Sequence, residues 1–149
     1  MTGPVLLIDG FTGGYRFLSN FYSAPVKYEG RVYPSSEHAY QAAKTTDLKL
    51  RAQIAKLTRP SDAKRFGRRV PLRPGWEKMK FDVMLSVLRI KFETPNLRKA
   101  LLATGDAKLV EENDWGDRVW GTVDGVGQNR LGKLLMQVRT EIKDAGGRP

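Results

Sequence analysis

Val26-Lys27-Tyr28-Glu29-Gly30-Arg31-Val32-Tyr33-Pro34-Ser35-Ser36-Glu37-His38-Ala39-Tyr40-Gln41-Ala42-Ala43-Lys44 changes its period halfway along. Up to Tyr33 it reads as a β-hairpin turning at Glu29-Gly30. Pro34 ends the hairpin, and Ser35 or Ser36 caps a helix that runs through Glu37, His38, Tyr40, Gln41 and Lys44. Outward from this stretch, Thr46-Asp47 restarts helix towards Leu57, and Ser61 caps a short basic helix. Trp76 to Phe92 places Trp76, Met79, Val83, Met84, Val87, Leu88 and Phe92 at three-four spacing, the pattern of a core-facing helix. Thr94-Pro95 opens a helix that Gly105 closes, and the last helix runs from about Arg130 to Lys143. Val5 to Ile8 reads as a short buried strand, with Leu109 to Glu112 and Arg118 to Trp120 as short extended segments. No repeat or linker interrupts the chain. These elements predict an α+β fold: a mostly helical single domain over residues 1–149, its core about 5–143, with a small antiparallel sheet.

The 149 residues are 40% hydrophobic and 28% charged, a globular composition. Cysteine is absent and His38 is the one histidine, which excludes cysteine or multi-histidine zinc sites, iron–sulfur clusters, cysteine nucleophiles and redox pairs. Met1 to Gly10 has no basic n-region and an apolar run of only four residues, so a cytoplasmic protein without a membrane segment is expected. The formal charge is +10, and it is uneven: residues 44–99 hold 16 basic and 5 acidic residues, net +11, while the other 93 hold 10 and 11. Lys64, Arg65, Arg68, Arg69 and Arg73 form its densest part. Such a patch attracts phosphates, although a solvated face that merely keeps the protein in solution has the same composition.

Three stretches carry candidate chemistry. On a helix Glu37, Tyr40, Gln41 and Lys44 fall at i, i+3, i+4 and i+7, so a carboxylate, a phenol, an amide and an amine share one face able to do proton chemistry. A capping glutamate on a surface helix gives the same spacing, and His38 equally suits a hydrogen-bonded structural role. Phe11 to Tyr22 interleaves aromatics and glycines with Arg16, Ser19 and Asn20, a loop that could stack a base and bond a sugar, or simply anchor in the core. Asp117-Arg118-Val119-Trp120-Gly121, followed by Gly125, Gly127 and Asn129, leads into the last helix, whose N-terminus offers N–H groups to an anion; a plain connecting turn is the alternative. Arg130 stands where a dinucleotide fingerprint needs its third glycine, and neither a P-loop ending nor a Gly-x-Ser-x-Gly elbow is present. Glu111, Glu112, Asp114 and Asp117 read as a solvated acidic turn in preference to a Mg2+ site.

Ser19-Asn20-Phe21, Ser36 to Lys44, Trp76 with Met84, Leu102-Ala103-Thr104-Gly105, Asp117 to Gly121 and Asn129 to Arg139 occur in that order, and together they resemble the NADAR family. The resemblance implies an α+β domain that hydrolyses an N-glycosidic bond between ribose and a base or base-like amine. Two substrate classes come with it. One is guanine ADP-ribosylated in nucleic acid, where the domain acts as antitoxin to a DarT-type ADP-ribosyltransferase; the other is the phosphorylated ribosylamino-pyrimidine intermediates of riboflavin synthesis. Cleaving a C1′–N bond builds positive charge on the sugar and negative charge on the base. Carried over, Glu37 supplies the carboxylate as general acid or base. Lys44 is a charge partner that keeps Glu37 ionised or an amine that traps the opened ribose as a Schiff base, and Asp117 orients a ribose hydroxyl or a water. Asn20 bonds sugar or phosphate, Trp76 and Trp120 wall the pocket, and Arg16, Ser19, Phe21, His38, Tyr40, Gln41, Gly121 and Asn129 complete the substrate site. Lys64, Arg65, Arg68, Arg69 and Arg73 would contact nucleic-acid phosphates, and the +11 segment places the guanine substrate first. No cofactor or metal is required, and a monomer is expected. A module that reads ADP-ribose or nucleic acid without turnover is the alternative from another class; the presence of both Glu37 and Lys44 argues against it.

Overall fold

The computed structural model describes residues 4–146. Residues 1–3 of the N-terminal stretch discussed above, and 147–149 at the far end of the expected domain, lie outside the described residues. The chain forms two compact units: one is Asn20–Lys91, and the other combines the residues up to 19 with those from 92 onward. The α+β class is as expected, and among the described residues no helix is long and apolar enough to cross a membrane.

In the unit Asn20–Lys91, β2 (Val26–Tyr28) pairs antiparallel with β3 (Arg31–Tyr33), Lys27 opposite Val32. The turn residues Glu29 and Gly30 both take positive φ, 47° and 84°, which matches the twist of a two-residue hairpin. Helix α1 (Ser36–Ala42) follows. Ser35 is its N-cap and accepts from the His38 backbone N–H at 3.2 Å. The helix ends two residues short of Lys44, so the expected run through Lys44 is corrected: Lys44 stands in the turn beyond. Arg51 explains the stop, because its Nε donates to the carbonyls of Ala42 (3.2 Å) and Thr45 (2.8 Å) that a continuing helix would use, while its Nη1 pairs with Glu29 at 2.9 Å. Asp47 caps α2 (Leu48–Lys56) through Lys49 N and Leu50 N. Helix α3 (Pro60–Gly67) starts with Pro60 in its first turn and Arg59 as N-cap, so Ser61 lies inside it. Helix α4 (Trp76–Lys91) buries Trp76, Val83, Met84, Val87 and Leu88 on the predicted face. All seven residues of α1 are buried, with α2, α3, α4 and both hairpin strands packed against it.

In the other unit, β1 (Leu7–Asp9) pairs with β4 (Lys108–Val110), Ile8 opposite Leu109. This pair is parallel, an addition to the small antiparallel sheet the sequence predicts, and it joins segments separated by most of the chain, beyond the reach of local pattern. Ile8 is buried but Leu7 is 51% exposed, so only one position of the expected buried strand faces the core. Helices α5 (Pro95–Ala103) and α6 (Arg130–Asp144) pack together, and α6 lies on β4. Arg118 to Trp120 is not a strand. The loop is organised by side chains instead: Asp117 Oδ1 accepts from Val119 N (3.0 Å) and Trp120 N (2.9 Å), and Glu112 accepts from the Thr122 hydroxyl, Asp124 N and Gly125 N. These bonds, the Thr122 one foremost, hold the Glu112 carboxyl below its usual range. Among the described residues no three His, Asp or Glu side chains stand close enough to share a metal ion.

Gly121 is fixed by this loop, since a Cβ there would lie 2.0 Å from Glu111 O and 2.7 Å from Asn113 Nδ2. Gly121→Ala should therefore lower stability by about 1–3 kcal/mol, read as an earlier urea midpoint; an unchanged midpoint would show that the loop yields freely.

Candidate active site

The candidate site is built on α1 inside the unit Asn20–Lys91. Asn20 anchors the helix start: its backbone O accepts from Glu37 N at 3.1 Å, and its Oδ1 accepts from Ser36 Oγ at 2.8 Å. Its Nδ2 reaches Met84 Sδ on α4 at 3.5 Å. Glu37 is 8% exposed, and its Oε2 accepts from Gln41 Nε2 at 2.8 Å, one turn along the same helix. That bond favours the ionised carboxylate. Tyr40 and Trp76 are both buried and pack with ring centroids 5.3 Å apart, inclined at 52°. Lys44 Nζ lies 5.8 Å from the Tyr40 centroid, and Lys44 O accepts from Arg73 N at 2.8 Å.

Burial pushes the Lys44 amine below the usual lysine range, opposed by the attraction of Glu37; Arg68 and Lys64 add to the fall and Glu77 opposes it. A partly desolvated amine beside a buried carboxylate can act as a charge partner or, neutral, as a nucleophile. Phe21, 41% exposed, carries Lys64 Nζ 6.0 Å from its ring centroid. Arg65, Arg68 and Arg69 are exposed on and just after α3, which packs against α1; Arg65 also meets Asp62 at 3.4 Å.

The unit thus brings Asn20, Glu37, Tyr40, Gln41, Lys44 and Trp76 together, with the basic helix alongside. Arg16, Ser19, Asp117, Trp120, Gly121 and Asn129 belong to the other unit. Two residues expected at the substrate site, His38 and Asn129, have their side chains engaged by the fold itself. His38 is fully buried with both ring nitrogens occupied, Nδ1 2.7 Å from Ser35 Oγ and Nε2 2.8 Å from Leu57 O; the carbonyl can only accept, so Nε2 carries the proton. Asn129 accepts from Glu111 N at 3.0 Å and donates to Leu109 O at 2.9 Å, tying the start of α6 to β4. Asp117 Oδ1 is likewise engaged by its own loop. Sequence reasoning missed Arg51, which terminates α1, and Gly67, against whose Cα the Gln41 amide rests.

The NADAR domain model matches residues 11–143. N-glycosidase YbiA of Escherichia coli K12 is 46% identical over 132 residues, covering 86% of this chain and 82% of that one. A riboflavin biosynthesis protein of Vibrio vulnificus is 39% identical over 133 residues, 86% of this chain but 36% of its own length. The solution structure of E. coli YbiA superposes with a TM-score of 0.86 and 39% identity, covering 99% of this chain and 91% of that one.

Burial lowers the His38 pKa below 6.5, outweighing the Leu57 bond. As pH falls through 6.5 the unfolded chain binds a proton before the folded one does, so the contribution of His38 is present above 6.5 and is lost as pH drops through the folded value. Urea unfolding at pH 7.5 and 5.0 should show a steeper acid loss for the wild type than for His38→Gln. Parallel losses would contradict the buried neutral histidine.

Proposed function

The chain belongs to the NADAR family and is an N-glycosidase, and from that premise we propose that it hydrolyses the ribosyl C1′–N bond of ADP-ribosylated guanine in cytoplasmic nucleic acid, with the face of α1 as its reactive centre. Glu37, ionised and held by Gln41, faces the positive charge that grows at C1′ and takes the proton of the attacking water. Lys44 either holds that charge balance or, as the neutral amine, attacks C1′. In the second route the base leaves with a proton, the ring opens to an iminium on Nζ, and water then releases the sugar and regenerates the amine. Tyr40 and Trp76 wall the centre, and Asn20 sets where α1 begins.

The observation that carries the substrate is the packing of basic α3 directly on α1, which puts the exposed Arg65, Arg68 and Arg69 next to the carboxylate-bearing helix. A polymer rewards such a field, whereas a small phosphorylated metabolite needs one or two cations. A nucleic-acid substrate of this kind implies a DarT-type ADP-ribosyltransferase as the functional counterpart. The second reading, hydrolysis of phosphorylated ribosylamino-pyrimidines, is favoured by the likeness to a riboflavin biosynthesis protein.

Glu37→Gln should retain fold and ligand binding while turnover falls by roughly two or more orders of magnitude; activity within a few-fold of wild type removes Glu37 from the mechanism. Trapping with a hydride reductant during turnover should give a ribosyl adduct on Lys44 if the amine attacks, and its absence alongside an active Lys44→Arg protein leaves only the charge-partner role. For the substrate, replacing Arg65, Arg68 and Arg69 with Gln should raise KM for a modified oligonucleotide and flatten its salt dependence, with kcat on free ADP-ribosyl-guanosine little changed. Equal efficiency on oligonucleotide and nucleoside, without a salt slope, would put the riboflavin intermediates first.

A further inference from the structure

Gln41 is 4% exposed, and its two amide ends meet different surroundings. Nε2 donates to Glu37 Oε2 at 2.8 Å, while Oε1 is buried and accepts no hydrogen bond from the protein. A buried carbonyl without a donor is costly, and native structures rarely keep one without a reason. Turning the amide over would set its oxygen against the Glu37 carboxylate, so an ionised Glu37 dictates the orientation seen. What lies behind Oε1 is Gly67, the last residue of α3: a Cβ there would come within 1.9 Å of Oε1, 2.7 Å of Cδ and 3.2 Å of Cβ of Gln41. The place of that Cβ is taken by a Cα hydrogen facing the carbonyl, a weak contact that suits the same orientation. Gly67 does not take positive φ, so glycine is required there for room and not for backbone conformation.

We infer that Gln41 and Gly67 form a clamp that holds the Glu37 carboxylate ionised and in one orientation, which makes Gln41 a positioning residue for N-glycosidic cleavage and not a substrate ligand. The inference rests on Glu37 being the reacting carboxylate, as proposed above. Charged groups stand on the elements packed against α1, the fully buried Lys91 of α4 among them. Lys44 beyond α1 is coupled to Glu37, and Arg68 just after α3, Glu77 of α4 and Lys64 of α3 act on Lys44 in turn, Glu77 also pairing with Lys80 at 2.6 Å. On the remaining sides Arg51 of α2 pairs with Glu29 of the hairpin, Lys27 is exposed, and Arg31 lies at the strand end beside the turn. His38 is turned to Ser35 and Leu57.

The test reads Glu37 directly, without substrate. Protein labelled with 13C at the glutamate carboxyl carbon is titrated by NMR, and the Glu37 resonance is identified by its loss in Glu37→Gln. In Gln41→Met, equal in length but without the donor, the ionisation midpoint of Glu37 should rise by about one pH unit or more. Gly67→Ala, whose methyl would displace the Gln41 amide, should raise it in the same direction. In a Gln41→Ala background, where the amide is gone, Gly67→Ala should add nothing. An unmoved midpoint in Gln41→Met or in Gly67→Ala overturns the clamp, and so does an additive effect in the double variant. The underlying reading fails separately, if Glu37→Gln keeps its turnover.

Discussion

A seven-residue helix buried along its whole length pays for each polar group it carries that finds no partner inside the fold. So short a helix would not persist alone in water, and packing on all sides is what creates it. Several of its polar side chains are accordingly tied to particular neighbours: Ser36 to Asn20, His38 to Ser35 and Leu57, and Glu37 to Gln41, while the Gln41 carbonyl stays without a donor. Its trailing carbonyl at Ala42 is claimed by Arg51. The same requirement that stabilises the helix therefore immobilises a carboxylate. Burial of a carboxylate is eased by a charge-assisted hydrogen bond and a nearby cation, and Gln41 and Lys44 supply these to Glu37.

The environment separates the two ionisable members of the site. Glu37 keeps a donor aimed at it, whereas Lys44 loses hydration and sits near the cations of α3. Groups whose surroundings act on them in different ways are what proton and amine chemistry at neutral pH needs. The basic helix then has two effects at once. It contributes to the depression of the Lys44 amine, and it presents exposed arginines beside the site.

Much of this was legible in the chain because it is written locally. Glu29-Gly30 could hardly be anything but a tight hairpin turn, Thr94-Pro95 opens its helix where capping preferences place it, and the three-four spacing from Trp76 onward marks the buried face of α4. The site face was readable for the same reason, since Glu37, Tyr40 and Gln41 share one helix. What escaped depends on distant or unpatterned contacts. The parallel pairing of Ile8 with Leu109 has no local signature, and the stop at Ala42 is set by Arg51, nine positions later. Gly67 looks in the sequence like an interruption of a basic run, and its meaning appears only when α3 is laid against Gln41. The bonds of His38 and Asn129 within the fold were not legible either, because polarity in a motif does not reveal which polar groups the fold itself engages.

The central claim is that the ribosyl carbon reacts on the Glu37 face of α1, and a crystal structure of the Glu37→Gln protein with an uncleaved N-ribosyl substrate tests it most directly. The account predicts C1′ at about 3–3.5 Å from the side-chain amide that replaces the carboxylate, with Lys44 Nζ on the same sugar. A sugar bound elsewhere, with the Glu37 face of α1 unoccupied, would contradict it.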